Sequence, residues 1–374
     1  MKIITILGAR PQFIKASVVS RAMENYNEEN RDSSFNELII HTGQHYDLNM
    51  TYVFFQELKL PPIKFFLEIK CNTHGAMTGR MLEKIEEILL KEKPDIVLVY
   101  GDTNSTLAGA LAAAKLAIPI AHVEAGLRSF NMRMPEEINR ILTDRVSQWL
   151  FCPTENALIN LKKEGFTIQA PGEDMLQKYP AVCNVGDVMY DISLFCRQII
   201  KSSDCIKDLI QNIGNNFYLA TIHREENTNS VVKLKNIISA LDEISIETPV
   251  ILPIHPRTRK LIFDNKIDNK NISIIDPLGY YDMMELLKNC KAVFTDSGGL
   301  QKEAYFFKKL CITLREETEW VELVENGFNF LTGAGKKTIL TAEKDFLNHK
   351  VNWNKSLYGN GNAGEKIVDI LAAG

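Results

Sequence analysis

Short runs of β-branched and other apolar residues recur along the chain, each closed by glycine or a polar turn and followed by a longer amphipathic stretch. The runs predict strands at Ile3–Leu7, Leu38–His41, Ile96–Tyr100, Ile120–Val123, Trp149–Cys152, Tyr218–Ile222, Val250–Ile254, Ile272–Ile275, Ala292–Thr295 and Leu310–Thr313. Helical spacing predicts helices over Gln12–Glu24, Gly79–Lys91, Ser105–Leu116, Glu136–Ser147, Val231–Ile244, Gln301–Phe307 and Ala363–Ala373. All-apolar strands alternating with helices suit parallel sheets covered on both faces, and right-handed crossovers make such sheets doubly wound. Two series are visible, one before about residue 165 and one after about 215. This implies an α/β protein with a first domain over 1–182, onto which a terminal helix within 361–374 packs back, and a second over 183–360. The segment 166–180 breaks the rhythm with the turn-rich Ala170-Pro171-Gly172-Glu173-Asp174, which reads as an exposed loop.

Length agrees, since 374 residues at roughly 150 per domain give two or three domains, two being the better fit to one enzyme-sized chain. With 43 Lys and Arg against 47 Asp and Glu, the net charge of −4 argues against a general nucleic-acid binder, which needs a basic excess. Arg10 and Lys15 interrupt the apolar start before a signal-peptide core can form. Lys115, Pro119 and His122 break the most apolar stretch, Leu107–Val123, short of a membrane span. The seven cysteines form no CxxC pair and read as reduced thiols, so the expectation is a soluble cytoplasmic protein with neither a zinc site nor a disulfide framework.

In open α/β sheets ligands bind at the carboxyl ends of the strands, where helix N-termini present free amides. Five strand or helix ends carry more polar chemistry than packing requires. Gly8-Ala9-Arg10-Pro11-Gln12-Phe13-Ile14-Lys15 opens the first helix without the glycine spacing of a dinucleotide site; it is either a solvated turn or a diphosphate-facing loop. Asp102, in Gly101-Asp102-Thr103-Asn104-Ser105, is either a helix cap or an acid for chemistry. Glu124 ends an apolar strand, where a surface role explains it poorly. Glu136 and Arg140 are four apart and share a helix face, as in a surface ion pair. In the second half, His223 closes a strand, and Asp296-Ser297-Gly298-Gly299 makes an amide cradle for an anion at a helix start. Carboxylates in the first half and anion-binding groups on both halves suit two domains that close over one nucleotide-linked substrate. With no Walker motif, metal-binding DxD or dinucleotide fingerprint, nucleoside-diphosphate-sugar chemistry leads.

These residues resemble the non-hydrolysing UDP-N-acetylglucosamine 2-epimerases. The likeness rests on Gly8–Lys15, Gly101-Asp102-Thr103, His122–Arg128, Pro135–Arg140, His223-Arg224-Glu225, Asp296–Glu303 and Arg315-Glu316-Glu317-Thr318-Glu319, and it covers essentially the whole chain. It implies two Rossmann-like domains in the GT-B arrangement of nucleotide-sugar glycosyltransferases, a cytoplasmic homodimer, no cofactor, no metal and a UDP-sugar as substrate. It implies Asp102, Glu124 and Glu136 as acid/base groups with His223 at the diphosphate. It further implies Arg10, Lys15, Arg140, His255, Ser297, Gly298, Gly299, Glu303 and Arg315 at the substrate. Two departures stand out: Gln12 where the family more commonly has Glu, and Ser129-Phe130-Asn131-Met132-Arg133-Met134 in place of a tryptophan-containing loop. Both resemble the branch acting on UDP-2,3-diacetamido-2,3-dideoxyglucuronic acid, and Arg133 would suit a substrate carboxylate. Gln44-His45 matches a stretch where the family binds a regulatory UDP-sugar, with Tyr46-Asp47 departing from the usual sequence. A GT-B glycosyltransferase, a hydrolysing epimerase and a non-catalytic nucleotide-sugar sensor are the rival readings. The glycosyltransferase would need an acceptor groove and only one base.

Overall fold

The computed structural model describes residues 1–30, 34–44, 55–69, 71, 73–168, 180–199, 202–347 and 349–374. It divides into one unit of Met1–Leu194 with Ser356–Gly374 and another of Phe195–Lys355. The first holds β1 (Lys2–Leu7), β2 (Asn36–His41), β3 (Ile63–Phe66), β4 (Ile96–Tyr100), β5 (Ile120–Val123), β6 (Trp149–Cys152) and β7 (Ala181–Asn184). They pair in parallel in the order β3-β2-β1-β4-β5-β6-β7. Ile4, Ile6, Val97 and Val99 meet Met81, Ile85 and Leu89 of helix His74–Glu92 and the alanine-rich helix Asn104–Lys115. The alanines let that helix sit low on the sheet. A Cβ on Gly109 would stand 2.6 Å from Ile6 Cδ1 and 3.3 Å from Val99 Cγ1, so this close approach needs glycine.

The second unit holds β8 (Tyr218–Thr221), β9 (Val250–Pro253), β10 (Ser273–Ile275), β11 (Ala292–Thr295), β12 (Leu310–Thr313) and β13 (Asn329–Leu331), again parallel, in the order β10-β9-β8-β11-β12-β13. Tyr218, Leu252, Phe294 and Ile312 form its core with Leu234, Ile237 and Leu241 of helix Val231–Ile244. Both sheets share the 3-2-1-4-5-6 winding of the nucleotide-binding folds, so two doubly wound parallel-sheet units stand as expected.

Strands β3, β7 and β13 were not anticipated, and each lies at a sheet edge. An edge strand needs no continuous apolar run: β3 follows Pro61-Pro62 and carries an exposed Lys64, and β13 has only Asn329 buried. The expected boundary at 182/183 would cut β7, whose Val182 and Cys183 pair with Leu150 and Phe151 of β6; the first unit instead runs on into helix Val188–Ile199. Helix Ala363–Ala373 lies against helix Arg10–Glu29. Asp191 caps it, accepting the Gly364 amide at 2.9 Å. Burial, reinforced by the charges of Asp187 and Glu365, pushes the Asp191 carboxyl up to about 6.

The turn-rich centre of 166–180 and the stretch from His45 lie outside the described residues. All seven cysteines are free thiols. Burial pushes Cys183 up to about 11 and Cys290 and Cys311 up to about 12, which makes them poor nucleophiles. Among the described residues no helix is long and apolar enough to cross a membrane.

Candidate active site

The strand order of the first unit reverses between β1 and β4, the place where such sheets collect ligand groups. After β1 the chain turns through Gly8-Ala9 into helix Arg10–Glu29. Gln12 fixes this turn. Its Oε1 accepts the Gly8 and Ala9 amides at 2.8 and 3.0 Å, and its Nε2 donates to Tyr100 O at 2.9 Å and Thr106 Oγ1 at 3.0 Å. An ionised glutamate could take the two amides but could not give the two donations, so the departure at Gln12 ties the β1 turn to β4. Arg10 is the first helical residue and is half-buried. Lys15, one turn further on, is buried and pairs with Glu124 Oε1 at 2.5 Å.

Strand β4 ends at Gly101, whose φ of +63° is left-handed. A Cβ there would lie 3.1 Å from Lys15 Nζ and 3.5 Å from Glu124 Oε1, so glycine brings the residue before Asp102 directly against that ion pair. Asp102 Oδ2 accepts Arg140 Nη2 at 2.6 Å and Nε at 3.1 Å, and its backbone oxygen accepts Asn139 Nδ2 at 2.8 Å. Glu124, just past β5, also has a left-handed φ, +73°. For a non-glycine residue this costs about 1–2 kcal/mol, and Phe151 O holds it there by accepting the Glu124 and Ala125 amides, both at 3.1 Å. Strain of this kind concentrates at functional sites.

Helix Pro135–Val146 supplies the third acid. Glu136 lies in its first turn, half-buried, with no hydrogen bond or ion pair among the described residues. Arg140, expected at the nucleotide, is buried between Asp102 and Glu137, with Nη1 2.5 Å from Glu137 Oε2. Glu137 also accepts Ser129 N, Ser129 Oγ and Phe130 N at 2.9, 3.0 and 2.9 Å, which pins the loop carrying Arg133. Arg133 itself is exposed, and its guanidinium makes no hydrogen bond or ion pair among the described residues.

In the second unit the order reverses between β8 and β11. Asp296, past β11 and fully buried, accepts the His223 amide at 3.1 Å, the Arg224 amide at 3.1 Å and Asn227 Nδ2 at 3.0 Å, so it builds the turn that holds His223. His223 Nδ1 stands 3.3 Å from Asp296 Oδ1, and the ring is half exposed. Ser297 caps helix Gly298–Phe306, accepting Leu300 N through Oγ, but its own amide donates to Thr295 Oγ1 at 2.9 Å. The expected three-amide cradle therefore narrows to Gly298 and Gly299, which as the first helical residues stand outside the helical ladder. Glu319 lies beside them: a Cβ on Gly298 would meet its Oε1 at 2.5 Å. Glu319 Oε2 pairs with Arg315 Nη1 at 3.0 Å, and the buried Arg315 Nε has no hydrogen-bond partner among the described residues. Glu303 is buried in the second turn of the same helix. His255 stands apart past β9, exposed, its Nδ1 accepting the Arg257 amide at 3.2 Å as a helix cap.

Within the first unit, then, Asp102 with Arg140, Glu124 with Lys15, and Glu136 come together around β4, β5 and one helix. Within the second, His223, Gly298, Gly299 and Arg315 come together around β8, β11 and β12. The sequence reading did not assign Glu137, Asp296 or Glu319. Only the spacing of Glu137 to Arg140 and the place of Asp296 at a strand end hinted at them. It also missed Lys302, fully buried with its ammonium 3.9 Å over the Trp320 ring.

Comparison with known proteins bears on these groups. Residues 27–372 match the family model described as UDP-N-acetylglucosamine 2-epimerase. The chain is 52% identical over 374 residues to the UDP-2,3-diacetamido-2,3-dideoxy-D-glucuronate 2-epimerase of Pseudomonas aeruginosa, covering 100% of this chain and 99% of that one. The crystal structure of the Methanocaldococcus jannaschii UDP-GlcNAc 2-epimerase in complex with UDP-GlcNAc and UDP is similar at 45% identity and a TM-score of 0.89, covering 100% of both chains. That of the Neisseria meningitidis UDP-GlcNAc 2-epimerase bound to UDP-GlcNAc is similar at 29% identity and a TM-score of 0.86, again over 100% of both.

Proposed function

The chain belongs to the UDP-N-acetylglucosamine 2-epimerase family, a family of isomerases, and from that premise we propose that it inverts C2 of a UDP-linked 2-acetamido sugar. The observation that carries this reading is the gathering of Asp102, Glu124 and Glu136 on one unit. The first two are set in place by buried cations, and the third makes no hydrogen bond or ion pair among the described residues.

The C2 proton of such a sugar has no neighbouring carbonyl to acidify it. Elimination solves the problem: the C1–O bond breaks with its electrons passing to the diphosphate, and charge deficiency at C1 makes the C2 proton removable. A carboxylate takes that proton, and the C2–H electrons become the C1=C2 bond of a glycal. A second carboxylate protonates C2 from the opposite face while UDP oxygen re-forms the bond to C1. Acid/base groups are needed on both faces, each worth about 10²–10⁴-fold. Lys15 and Arg140 act as holders of Glu124 and Asp102. Arg10, His223, Arg315 and the Gly298 and Gly299 amides stabilise the departing diphosphate, Ser297 shapes their helix start, and Glu303 suits the ribose hydroxyls. His255, capping its helix past β9 next to β8, is a further substrate contact.

Arg133, exposed three residues before Glu136, favours a uronic acid as the sugar, and the name of the Pseudomonas aeruginosa relative supports the same choice. A cytoplasmic homodimer making activated sugars for surface polysaccharide completes the reading.

Proton NMR in heavy water tests it. UDP-2,3-diacetamido-2,3-dideoxyglucuronate and UDP-N-acetylglucosamine are incubated side by side with the enzyme, and deuterium at C2 is followed with no acceptor present. Exchange on the uronate first, without net UDP release, is the expected result; exchange on neither sugar overturns the function. Arg133→Ala should raise KM for the uronate about tenfold, the worth of one charge-assisted contact. An equal change for both sugars removes the uronate preference and leaves epimerisation standing.

A further inference from the structure

Starting at His122, two residues before Glu124, a chain of charged and polar side chains, buried but for the half-buried Glu164, lies wholly inside the first unit. His122 of β5 is fully buried; its Nδ1 is 2.7 Å from Asp144 Oδ1 and its Nε2 is 2.8 Å from the backbone oxygen of Gly101. Asp144 Oδ2 lies 2.8 Å from Arg128 Nη1 and accepts the Gly126 amide at 3.2 Å. Arg128 grips Glu164 with Nε at 2.6 Å and Nη2 at 2.9 Å. Burial opposes the charge on Asp144, but His122 and Arg128 outweigh it and hold the carboxyl below its ordinary value. Both ring nitrogens of His122 thus face acceptors, and Arg128 compensates the buried Asp144 carboxylate, whose burial would otherwise carry a large desolvation cost.

Its placement relative to the acids gives it meaning. Gly101, whose carbonyl receives His122 Nε2, immediately precedes Asp102, and its amide donates to Val123 O at 2.9 Å. Glu124 lies between His122 and Gly126, both of which bind Asp144. Asp144 is also one turn past Arg140 on the same helix, so one helix face holds Asp102 twice: by Arg140 on its carboxylate, and by Asp144 and His122 on the peptide before it.

We propose that Asp144, acting through His122 on the Gly101 carbonyl, is a positioning residue that fixes Asp102 and the strained Glu124 for proton transfer. Neither Asp144 nor His122 touches substrate. The inference rests on the proposed epimerisation, because it assigns a purpose to placing those two acids.

Two replacements of His122 separate this role from plain stability. Glutamine puts its amide nitrogen near the position of Nε2 and can still donate to Gly101 O; asparagine puts its nitrogen near Nδ1, within reach of Asp144 but short of Gly101. Both remove the ring alike. Steady-state C2 exchange in heavy water is read per folded molecule, alongside thermal melting. His122→Asn is expected to lose about 10²-fold in kcat, the cost of a misplacement of about 1 Å, with KM within twofold of wild type. His122→Gln should recover at least tenfold of that loss although it melts at a similar temperature. Equal kcat for the two variants overturns the proposal. Should His122→Asn not fold, Asp144→Asn reports instead: a kcat reduced about tenfold at unchanged KM supports the role, and wild-type kcat in folded Asp144→Asn overturns it. Absence of exchange in the wild type would instead strike the epimerase reading itself, so the two failures are distinguishable.

Discussion

The carboxyl ends of the two sheets share a winding order and differ in how they treat charge. In the first unit the groups around the ends of β4 and β5 are matched within the unit: Lys15 with Glu124, Arg140 with Asp102, and His122 and Arg128 with Asp144. In the second, the buried acid Asp296 is occupied with amides of its own turn, Glu319 holds Arg315 Nη1, and Arg315 Nε has no hydrogen-bond partner among the described residues. Under the proposed function one winding supports opposite tasks: paired side chains would hold acids where protons move, and the helix start with Arg315 would receive negative charge.

Three experiments press on that difference. The largest effect is expected from the acids: Asp102→Asn, Glu124→Gln and Glu136→Gln should each cut kcat by about 10²–10⁴-fold, with UDP affinity by calorimetry unchanged. Near-normal turnover in all three would erase the contrast. Next, Gly298→Ala sets a Cβ 2.5 Å from Glu319 Oε1 and should weaken UDP about tenfold in the same titration and slow C2 exchange as well. A UDP affinity equal to wild type would mean the second unit's helix start receives no anion.

The smallest concerns Asp191, a carboxylate filling the N-terminus of helix Ala363–Ala373 as a phosphate would fill that of Gly298–Phe306. Its carboxyl titrates at about 6 in the fold against 3.8 ordinarily. Between those values the unfolded chain gives up the proton and the folded one keeps it, so stability falls as pH rises through that window and is flat above it. At about 1.4 kcal/mol per unit the total is at most about 3 kcal/mol. Asp191→Asn should flatten the fall, raising the urea midpoint at pH 8 but not at pH 4. An unchanged midpoint at pH 8 would show that the cap carries no buried charge.

Much of this was legible in the linear chain. The central strands announced themselves because burial on both faces leaves nothing charged in Ile96–Tyr100 or Ala292–Thr295. The edges did not, since β3, β7 and β13 are short and partly solvated. The three acids stood out by position at strand and helix ends. Their holders did not: nothing in the letters separates Glu137 from Glu136 or marks Asp144, because a pairing across β5 and a helix exists only after the sheet has formed. Arg140 was likewise placed at the nucleotide by resemblance, with no sign in the letters that it pairs with Asp102 and Glu137. Gln12 looked like a lost acid and is a four-bond brace.

Helix Ala363–Ala373 buries Ile367, Val368 and Leu371, and its Gly364 rests on Val18. During synthesis all of Phe195–Lys355 emerges before this segment does, so the earlier-made fold waits with one flank uncovered while the later one completes. A ribosome-stalled nascent chain ending near residue 355 should therefore present a greasy stripe along helix Arg10–Glu29, and chaperones would meet the molecule there.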